Sequence, residues 1–512
     1  MKLFTTEDIN AIERQSLAHD LVSEFDLAER AGNGAACEIA SRWNPQKRTV
    51  VFAGPGTNGA YALMTAQALI QRGFHPLIYL FNIGGNTIGD LCRRCRDLLK
   101  ANAGSSAIEE VITKFNIPEL SASDLVIDGL FGQELREPLT GGFMSLVRYI
   151  NESQASVVSI DVPSGMCGDW NHNVTPRNVV QATLTLAIQY PRLPFFIADF
   201  APLAGDVRIV DIGLSREAAE NRRTNFHLIE EAEVRTLLHQ RPTFCSKADF
   251  GSACIVAGSY GMAGAAVLAA RGALRAGAGK VTLYGPAGNC PVAQTAVPEA
   301  MYLSDRDNRR ITSIDLPDTL TAVGVGPGIG TDESTVDALD SFLKHSKRPL
   351  VLDADALNCI ARRPALLQHL PMLSVLTPHA GEFDRLFGPQ PSHEARLLKA
   401  VEAARQYNIL ILLKGHYTAL VRLDGKIYFN STGTPAMATP GSGDVLTGIL
   451  TALIAQGYKP EVASIIAAYI HGRAGELAAA TQGTYGVTAS DIAVQTGPAI
   501  KSILEPDNSS AL

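Results

Sequence analysis

The segment TPAMATPGSGDVLTGILTALIAQG, residues 434–457, places Gly441-Ser442-Gly443-Asp444 directly before an apolar run. In that run apolar residues recur at i, i+1, i+4, i+5, i+8 and i+9, which is the stripe of a buried helix. The four residues are therefore predicted to lie at a helix N-terminus, where free N–H groups and a partial positive charge attract anions. A second interpretation stays open for Asp444, because Asp and Ser are also common helix N-caps.

Length and composition indicate two large α/β domains. The chain has 512 residues, of which 46% are hydrophobic and 19% charged, and its net charge is −7. Without a run of Lys or Arg, this charge argues against a nucleic-acid partner. The charged N-terminus and the lack of an apolar stretch of about 20 residues predict a cytoplasmic protein without a membrane partner. Cys92 and Cys95 form a C-x-x-C pair without a second pair at zinc-site spacing, so we interpret them as ordinary helix cysteines.

The first half alternates helical stretches with short β-rich runs that end in Gly or Asp. This rhythm predicts a parallel sheet with helices on both faces over residues 1–214, a Rossmann-like three-layer α/β/α domain. Ligands of such folds bind at the carboxyl ends of the strands, where GPGTNG, DGLFG and DVPSG lie. From the residues alone, Asp128, Asp161 and Ser164 at these ends could equally be loop caps.

Residues 215–241 are polar, rich in Glu and Arg, and are predicted to form a linker without a strand. A second α/β domain is predicted over residues 225–506. In its LLKGHYT segment, Lys414 and Gly415 follow an apolar strand, where they could meet phosphates or simply be solvated. In LTPHAGEF, we predict that His379 contacts substrate and that Glu382 lies near a water-coordinated Mg²⁺. The alternative is that both residues cap the next helix.

Six ordered motifs of the second half, GSYGMAGAA, GVGPGIG, DADALN, TPHAGEF, KGHYT and TPGSGD, resemble the ribokinase-like superfamily and within it the ADP- or ATP-dependent NAD(P)HX dehydratases. The resemblance implies a ribokinase-like fold and repair of hydrated NADH or NADPH at the expense of ADP or ATP. It implies that Asp444 is the base that takes the proton from the ring hydroxyl, which then attacks the terminal phosphoryl group. The implied nucleotide site, with the predicted anion hole, comprises Lys414, Gly415, His416, Tyr417, Thr418, Gly441, Ser442 and Gly443. The implied substrate site comprises Ala265, Gly328, His379 and Asp444.

The order GPGTNG, DGLFG, DVPSGM and QYPR in the first half is similar to the NAD(P)HX epimerase domain, which is commonly fused ahead of the dehydratase. This resemblance implies a potassium ion on Asn58, Asp128 and Ser164, and a catalytic Asp161 near the reacting ring. The implied substrate contacts are Asp161, Thr57, Asn58, Gly59, Ala60 and Tyr61, together with Gly132, Gln133, Glu134, Leu135 and Arg136.

This first half departs from the epimerase pattern at three places. The family loop Asn-Asn-Gly-Gly-Asp-Gly is replaced by residues 57–62, TNGAYA; Gln133-Glu134 stand where Thr-Gly is usual; and Arg192 replaces a Lys. We therefore predict a weak or inactive epimerase that keeps cation binding.

Two alternatives remain open at this stage: a small-molecule kinase of the ribokinase superfamily, and a first half that only binds a ligand or oligomerises. We also expect a homo-oligomer, with ADP preferred over ATP because the compact chain resembles bacterial family members, which use ADP.

Overall fold

The computed structural model describes residues 1–19, 22–103 and 108–505. They divide into two compact units, one of Lys2–Thr224 and one of Met1 with the described residues from Asn225 onward. The division falls inside the segment predicted as a linker, and residue 506, the last of the predicted second domain, lies outside the described residues. In the described part of the chain no helix is long and apolar enough to cross a membrane.

The N-terminal unit is a parallel sheet between two layers of helices, as predicted. Its sheet order is β4-β3-β2-β5-β6-β7-β8, with every pairing parallel. Val51 and Ala53 face one hydrophobic core, and Val50 and Phe52 of the same strand face another. The elements are β1 (Lys2–Leu3), α1 (Thr6–His19), α2 (Glu24–Arg42), β2 (Thr49–Ala53), α3 (Thr57–Ile70), β3 (Leu77–Phe81), α4 (Asp90–Ala103), β4 (Ile108–Val111), β5 (Leu125–Gly129), α5 (Gly141–Glu152), β6 (Ser156–Ile160), β7 (Leu184–Ile188), β8 (Asp206–Val210) and α6 (Arg216–Asn221).

The C-terminal unit is a second α/β domain, and its sheet runs β9-β18-β17-β16-β15-β14-β13-β10-β11-β12. Strand β17 is antiparallel to both of its neighbours, and the other pairings are parallel. The elements are β9 (Phe226–Ile229), α7 (Glu231–Leu237), β10 (Ser252–Val256), α8 (Ala263–Arg275), β11 (Lys280–Gly285), α9 (Cys290–Ala296), β12 (Met301–Ser304), β13 (Ala322–Val325), α10 (Glu333–His345), β14 (Leu350–Leu352), α11 (Ala354–Arg362), β15 (Val375–Leu376), α12 (Ala380–Phe387), α13 (His393–Tyr407), β16 (Leu410–Leu413), β17 (Ala419–Val421), β18 (Ile427–Asn430), α14 (Ser442–Ala455), α15 (Pro460–Gln482) and α16 (Ala489–Leu504).

The expectation that residues 215–241 hold no strand is wrong. Residues Phe226–Ile229 form β9, which pairs in parallel with β18. The strand has only four residues, of which only Ile229 is buried, so it is too short for a strand pattern to stand out from the polar residues around it.

Helix α14, which begins at the GSGD segment, packs closely on α8 through glycines on both helices. A Cβ atom on Gly448 would lie 1.9 Å from the Ala269 carbonyl oxygen, and one on Gly272 would lie 2.5 Å from the Val445 carbonyl oxygen. Such distances leave no room for a side chain, so the two backbones touch directly. This contact fixes the height at which α14 begins relative to the sheet.

We expect Gly448→Ala to destabilise the protein by about 1–3 kcal/mol or more, because the added methyl group meets backbone that cannot move aside. The matched control is Gly264→Ala in the exposed first turn of α8, where a Cβ would meet nothing within 4 Å. There the helix propensity of Ala should leave stability unchanged or raise it by up to about 1 kcal/mol. Urea unfolding of the two variants and the parent measures the difference; equal midpoints would contradict the close-contact argument.

Candidate active sites

The predicted anion hole lies at the start of α14. Gly441 is the N-cap, with φ at 87°, and no side chain caps the helix. Asp444 is in the first turn and makes no capping hydrogen bond, so the interpretation of Asp444 as an N-cap is wrong. The backbone N–H groups at this end are left for a ligand, with a carboxylate one turn away.

Lys414 joins the ends of neighbouring strands into one charged cluster. It follows β16, and its Nζ lies 2.8 Å from Asp353 Oδ1 and 3.7 Å from Glu382 Oε2. The Thr447 hydroxyl, from α14, donates to Asp353 Oδ2 at 2.7 Å. Burial alone would lower the pKa of Lys414, but the charges of Asp353 and Glu382 raise it above its ordinary value. The ammonium therefore stays charged beside the start of α14.

Asp353 is a site residue that the sequence analysis quoted within DADALN but did not select. Asp353 directly follows β14, and its side chain is buried. The available signal was a carboxylate immediately after a fully apolar strand, which is a common position for ligand-binding residues in parallel sheets.

The surroundings of Asp444 change its ionisation. An ordinary Asp has a pKa of about 3.9 and would be fully ionised at neutral pH. Burial, followed by the charge of Asp353, raises the pKa of Asp444 to about 7, while Lys414 opposes this increase. The sequence alone did not indicate this shift, because it did not show that three acids share this edge of the sheet.

His379 and Glu382 form the cap of α12, the alternative that the sequence left open. His379 Nδ1 accepts hydrogen bonds from the N–H groups of Gly381 and Glu382, and Glu382 Oε2 accepts one from the His379 N–H. The imidazole side chain remains 54% exposed and also lines the adjoining cavity. No group of three His, Cys, Asp or Glu residues able to hold a metal ion occurs in the described part of the chain.

A cavity of about 930 Å³ opens beside the cluster and brings most of the predicted nucleotide-binding residues together. Its walls include the predicted residues His379, Lys414, Gly415, His416, Thr418, Ser442 and Gly443. Tyr417 packs its ring against His416, with 4.5 Å between the ring centroids. The cavity is thus bounded by the end of β16 on one side and the start of α14 on the other.

His471, from the long helix α15, also lines this cavity and was not predicted. Its Nε2 lies 3.0 Å from the Ser442 carbonyl oxygen, and burial lowers the pKa of His471 to about 4. The ring is therefore neutral at physiological pH and donates through Nε2–H to the first turn of α14. A single His within an Ala-rich helix gave no sequence signal.

The predicted substrate contacts Ala265 and Gly328 are neighbours. Gly328 has φ at 63°, and a Cβ on it would lie 3.2 Å from Ala265 Cβ and 3.0 Å from Met262 Cβ. Farther along α8, the Leu268 side chain lies 2.4 Å from where a Cβ of Gly441 would be. One helix therefore links the Gly328 loop to the start of α14.

In the N-terminal unit, the predicted cation residues meet at the ends of β5 and β6. The fully buried Asp128 carboxylate accepts hydrogen bonds from the Ser159 hydroxyl and from both the hydroxyl and N–H of Ser164. Burial raises the pKa of Asp128, although the Ser164 and Ser159 hydrogen bonds lower it. Asn58 is buried nearby, and both polar atoms of its side chain have no hydrogen-bond partner. A Cβ on Gly132 would lie 2.7 Å from the Asn58 side chain, so the predicted loops are in contact.

Asp161 is held in a buried ion pair with Arg192. Arg192 Nη2 lies 2.5 Å from Asp161 Oδ1, and the side chains are only 2% and 4% exposed. The carboxylate also accepts from the N–H groups of Gln133 at 3.1 Å and Ile188 at 3.4 Å. Asp161 itself has φ at 65°, and Arg192 keeps Nε and Nη1 without hydrogen-bond partners. The positive φ of Asp161 and the three donors on its carboxylate show that the surroundings hold this residue in one position.

The remaining predicted residues of this unit divide between its core and a smaller cavity. Ala60 and Tyr61 pack in the hydrophobic core, and Gly59 approaches Gly54 too closely for any side chain. Thr57 donates to Glu134 at 3.0 Å. The cavity, of about 470 Å³, is lined by the predicted Glu134, Leu135 and Arg136, with Gly56, Phe131, Glu137 and others. The lining of this cavity thus carries two acids, Glu134 and Glu137, and one arginine, Arg136.

Both units of the chain match known protein families. A family model described as NAD(P)H-hydrate dehydratase matches residues 253–496, and one described as YjeF-related protein N-terminus matches residues 24–193. The chain is 33% identical to a bifunctional NAD(P)H-hydrate repair enzyme of Moorella thermoacetica, covering 96% of this chain and 95% of that one. It is 30% identical to the enzyme of that name from Thermofilum pendens, covering 99% and 97%.

A solved structure is similar to the C-terminal unit. It is an ADP/ATP-dependent NAD(P)H-hydrate dehydratase from Bacillus subtilis, co-crystallised with ATP and Mg²⁺. The match has a TM-score of 0.50 and 32% identity, and it covers 55% of this chain and all of the other.

Proposed function

The chain belongs to the bifunctional NAD(P)H-hydrate repair enzymes, and we propose that its dehydration step takes place at the start of α14. Both halves match such enzymes over nearly their full length, so a small-molecule kinase is not favoured. The observation that carries the proposal is the uncapped first turn of α14 with Asp444 in it, beside Lys414.

Asp444 is the general base of the proposed reaction. It takes the proton from the hydroxyl group on the hydrated nicotinamide ring, and the hydroxyl oxygen attacks the terminal phosphoryl group of ADP or ATP. The bond from that phosphorus to its bridging oxygen breaks and releases AMP or ADP. The carbon–oxygen bond of the phosphorylated ring then breaks, phosphate leaves, and the neighbouring ring carbon loses a proton to water, which restores the ring double bond of NAD(P)H. A base with a pKa near the working pH combines availability with proton affinity. The N–H groups at the start of α14 stabilise the charge on the transferred phosphoryl group.

The nucleotide is proposed to bind in the 930 Å³ cavity against the Lys414–Thr418 and Gly441–Gly443 segments. The hydrated ring lies between Asp444, His379 and the Ala265–Gly328 pair. Since the described residues offer no set of three acidic, His or Cys ligands, Mg²⁺ would arrive on the nucleotide phosphates and reach Glu382 only through water. The Mg²⁺ would neutralise phosphate charge there.

We expect Asp444→Asn to lower nucleotide-dependent dehydration by about 10²–10⁴-fold, because the amide keeps the shape but cannot accept the proton. The measurement is recovery of NADH absorbance from hydrated NADH with ADP or ATP. The matched control is Asp491→Asn, the same change in the first turn of α16, where Asp491 only completes a capping box. That variant should retain near-parental turnover, whereas near-parental turnover of Asp444→Asn would refute the assignment.

The pH profile gives an independent check on the same residue. With a pKa of about 7, the base form of Asp444 falls about tenfold for each pH unit below 7 and is complete above it. In the parent, kcat/KM should rise to a plateau through pH 7. A profile flat from pH 5 to 8 would contradict a base with a raised pKa.

We expect ADP to be the better phosphoryl donor, following the resemblance to bacterial family members. The Bacillus subtilis relative carries both nucleotides in its name, so this chain's preference needs direct comparison. Turnover with ADP and with ATP, each freed of contaminating kinase activity, should give the higher kcat/KM for ADP. A clear preference for ATP would overturn the expectation.

The N-terminal unit is proposed to hold potassium at Asn58, Asp128 and Ser164. The buried Asn58 Oδ1, which has no hydrogen-bond partner among the described residues, and the Asp128 carboxylate, whose hydrogen bonds offset its burial only in part, fit a cation. The cation would neutralise Asp128 and give Asn58 its missing partner. We further propose a cytoplasmic homo-oligomer that acts on small nucleotides.

We expect little or no epimerase activity. Arg192 and two N–H groups already donate to the Asp161 carboxylate, so fewer of its acceptor positions are left for the substrate. The test uses the full chain with Asp444→Asn, so that dehydration does not consume product. The R epimer of hydrated NADH is added, and conversion to S is followed by chromatography against the spontaneous rate. Adding Arg192→Lys, which offers fewer donors to Asp161, should accelerate conversion.

The control for this change is Arg177→Lys at an exposed arginine of the same unit, which should have no effect. Rapid conversion with Arg192 in place would show that the ion pair does not silence the domain.

A further inference from the structure

An exposed aromatic side chain lies beside the proposed substrate loop and has no role so far. Tyr260 stands between β10 and α8 and is 67% exposed. The Arg309 guanidinium carbon lies 4.2 Å from the centroid of its ring. A cation held over one face of a ring is a stabilised pair, and the exposure of Tyr260 leaves the other face open to a planar ligand.

Hydrogen bonds to the carboxylates of Asp305 and Asp307 fix the backbone of the loop that carries Arg309. The Asp305 carboxylate accepts hydrogen bonds from the N–H groups of Asp307, Thr312 and Ser313 at 2.8–2.9 Å. Asp307 Oδ1 accepts from the Arg309 N–H at 2.7 Å. Both carboxylates are thus used to fix the backbone, which presents the guanidinium of Arg309 at a set place.

Tyr260 and Arg309 are also joined through the main chain. The Tyr260 N–H donates to the Arg309 carbonyl oxygen at 2.7 Å. The pair therefore belongs to one rigid unit that combines an aromatic face with a planar cation. Arg310, the next residue, pairs with Asp332 at 3.6 Å and is not part of it.

This pair is continuous with the proposed reaction centre. Met262, two residues after Tyr260, touches the Gly328 loop, and Leu268 of the same helix lies against Gly441. Met262 and Leu268 are about 9 Å apart along the helix axis, at 1.5 Å per residue. Since the hydrated ring is proposed to contact Asp444 and the Ala265–Gly328 pair, Tyr260, which lies just before α8 on the same segment as Met262, is within reach of the rest of the dinucleotide.

We propose that Tyr260 and Arg309 bind the adenosine end of the hydrated dinucleotide and select for its 2′-phosphate. Adenine stacks on the open face of Tyr260, and the planar guanidinium of Arg309 donates to the phosphate. An arginine near the ribose is a recurrent way of accommodating the 2′-phosphate. The enzyme would then prefer hydrated NADPH to hydrated NADH, a specificity that rests on the proposed dehydratase function.

The first test compares kcat/KM for the two hydrated substrates with ADP as donor. Arg309→Ala should lower the value for hydrated NADPH about 10-fold or more, and much less for hydrated NADH, because a charged hydrogen bond is lost only with the former. The effect should lie in KM, with kcat nearly unchanged. Arg306→Ala removes the same charge from the same exposed loop without touching Tyr260, and it should leave the ratio of the two substrates unchanged.

Tyr260 is tested by two substitutions. Tyr260→Ala should lower kcat/KM about 10-fold for both substrates, because stacking does not depend on the 2′-phosphate. Tyr260→Phe keeps the ring and should behave as the parent. Equal effects of Arg309→Ala on both substrates, or equal effects of Arg309→Ala and Arg306→Ala, would overturn the proposal.

A binding measurement separates this inference from the reaction itself. The probes are ADP-ribose and its 2′-phosphate, titrated calorimetrically into the full chain with saturating ADP present to fill the nucleotide cavity. Arg309→Ala should weaken binding of the 2′-phosphate compound alone. If the parent binds the 2′-phosphate compound more tightly, and Arg309→Ala abolishes that preference, but the parent dehydrates neither substrate, the adenosine site stands and the proposed reaction is refuted. Equal binding of both probes by the parent refutes the site, whatever the turnover.

Discussion

The C-terminal site depends on the ion pair between Lys414 and Asp353. It joins the ends of two strands of the parallel sheet, and Thr447 of α14 donates to the second oxygen of Asp353. One carboxylate therefore fixes both the lysine that faces the cavity and the helix that carries Asp444. A buried pair of this kind costs desolvation energy, and its retention here is explained by the geometry it imposes on the start of α14.

The same pair controls the proton chemistry. Asp353 raises the pKa of Asp444 by its negative charge, whereas Lys414 lowers it, and burial adds the largest increase. Without Lys414, no lysine would offset the negative charges of Asp353, Glu382 and Asp444 at this edge of the sheet. The neutral His471 completes the arrangement, since it holds the Ser442 carbonyl without adding a positive charge to the cluster. The result is a carboxyl group that exchanges its proton near neutrality.

Much of the fold and of the location of the C-terminal site was predictable from residue patterns. The apolar stripe after Gly441 identified α14, and the strand-end glycines and acids identified the carboxyl edges of both sheets. What sequence did not supply was the coupling between distant segments. The pKa of Asp444 depends on Asp353 and Lys414, which are far apart in the chain, and His471 reaches the site from a helix whose pattern indicates only packing. Strand β9 was missed because a short strand at this position buries only Ile229.

Both units place an aspartate and a buried cation at the ends of their strands, but the cation contacts a different acid in each. In each, an aspartate follows a parallel sheet and meets a buried cation. Lys414 lies against Asp353 and leaves Asp444 without a hydrogen-bonded partner, so that carboxyl can titrate. Arg192 instead binds Asp161 itself, together with two backbone N–H groups. The surrounding protein therefore holds three donors against Asp161. The two sites thus differ in which acid the neighbouring cation contacts: Lys414 contacts Asp353, and burial together with the negative charge of Asp353 raises the pKa of Asp444, whereas Arg192 contacts Asp161 directly.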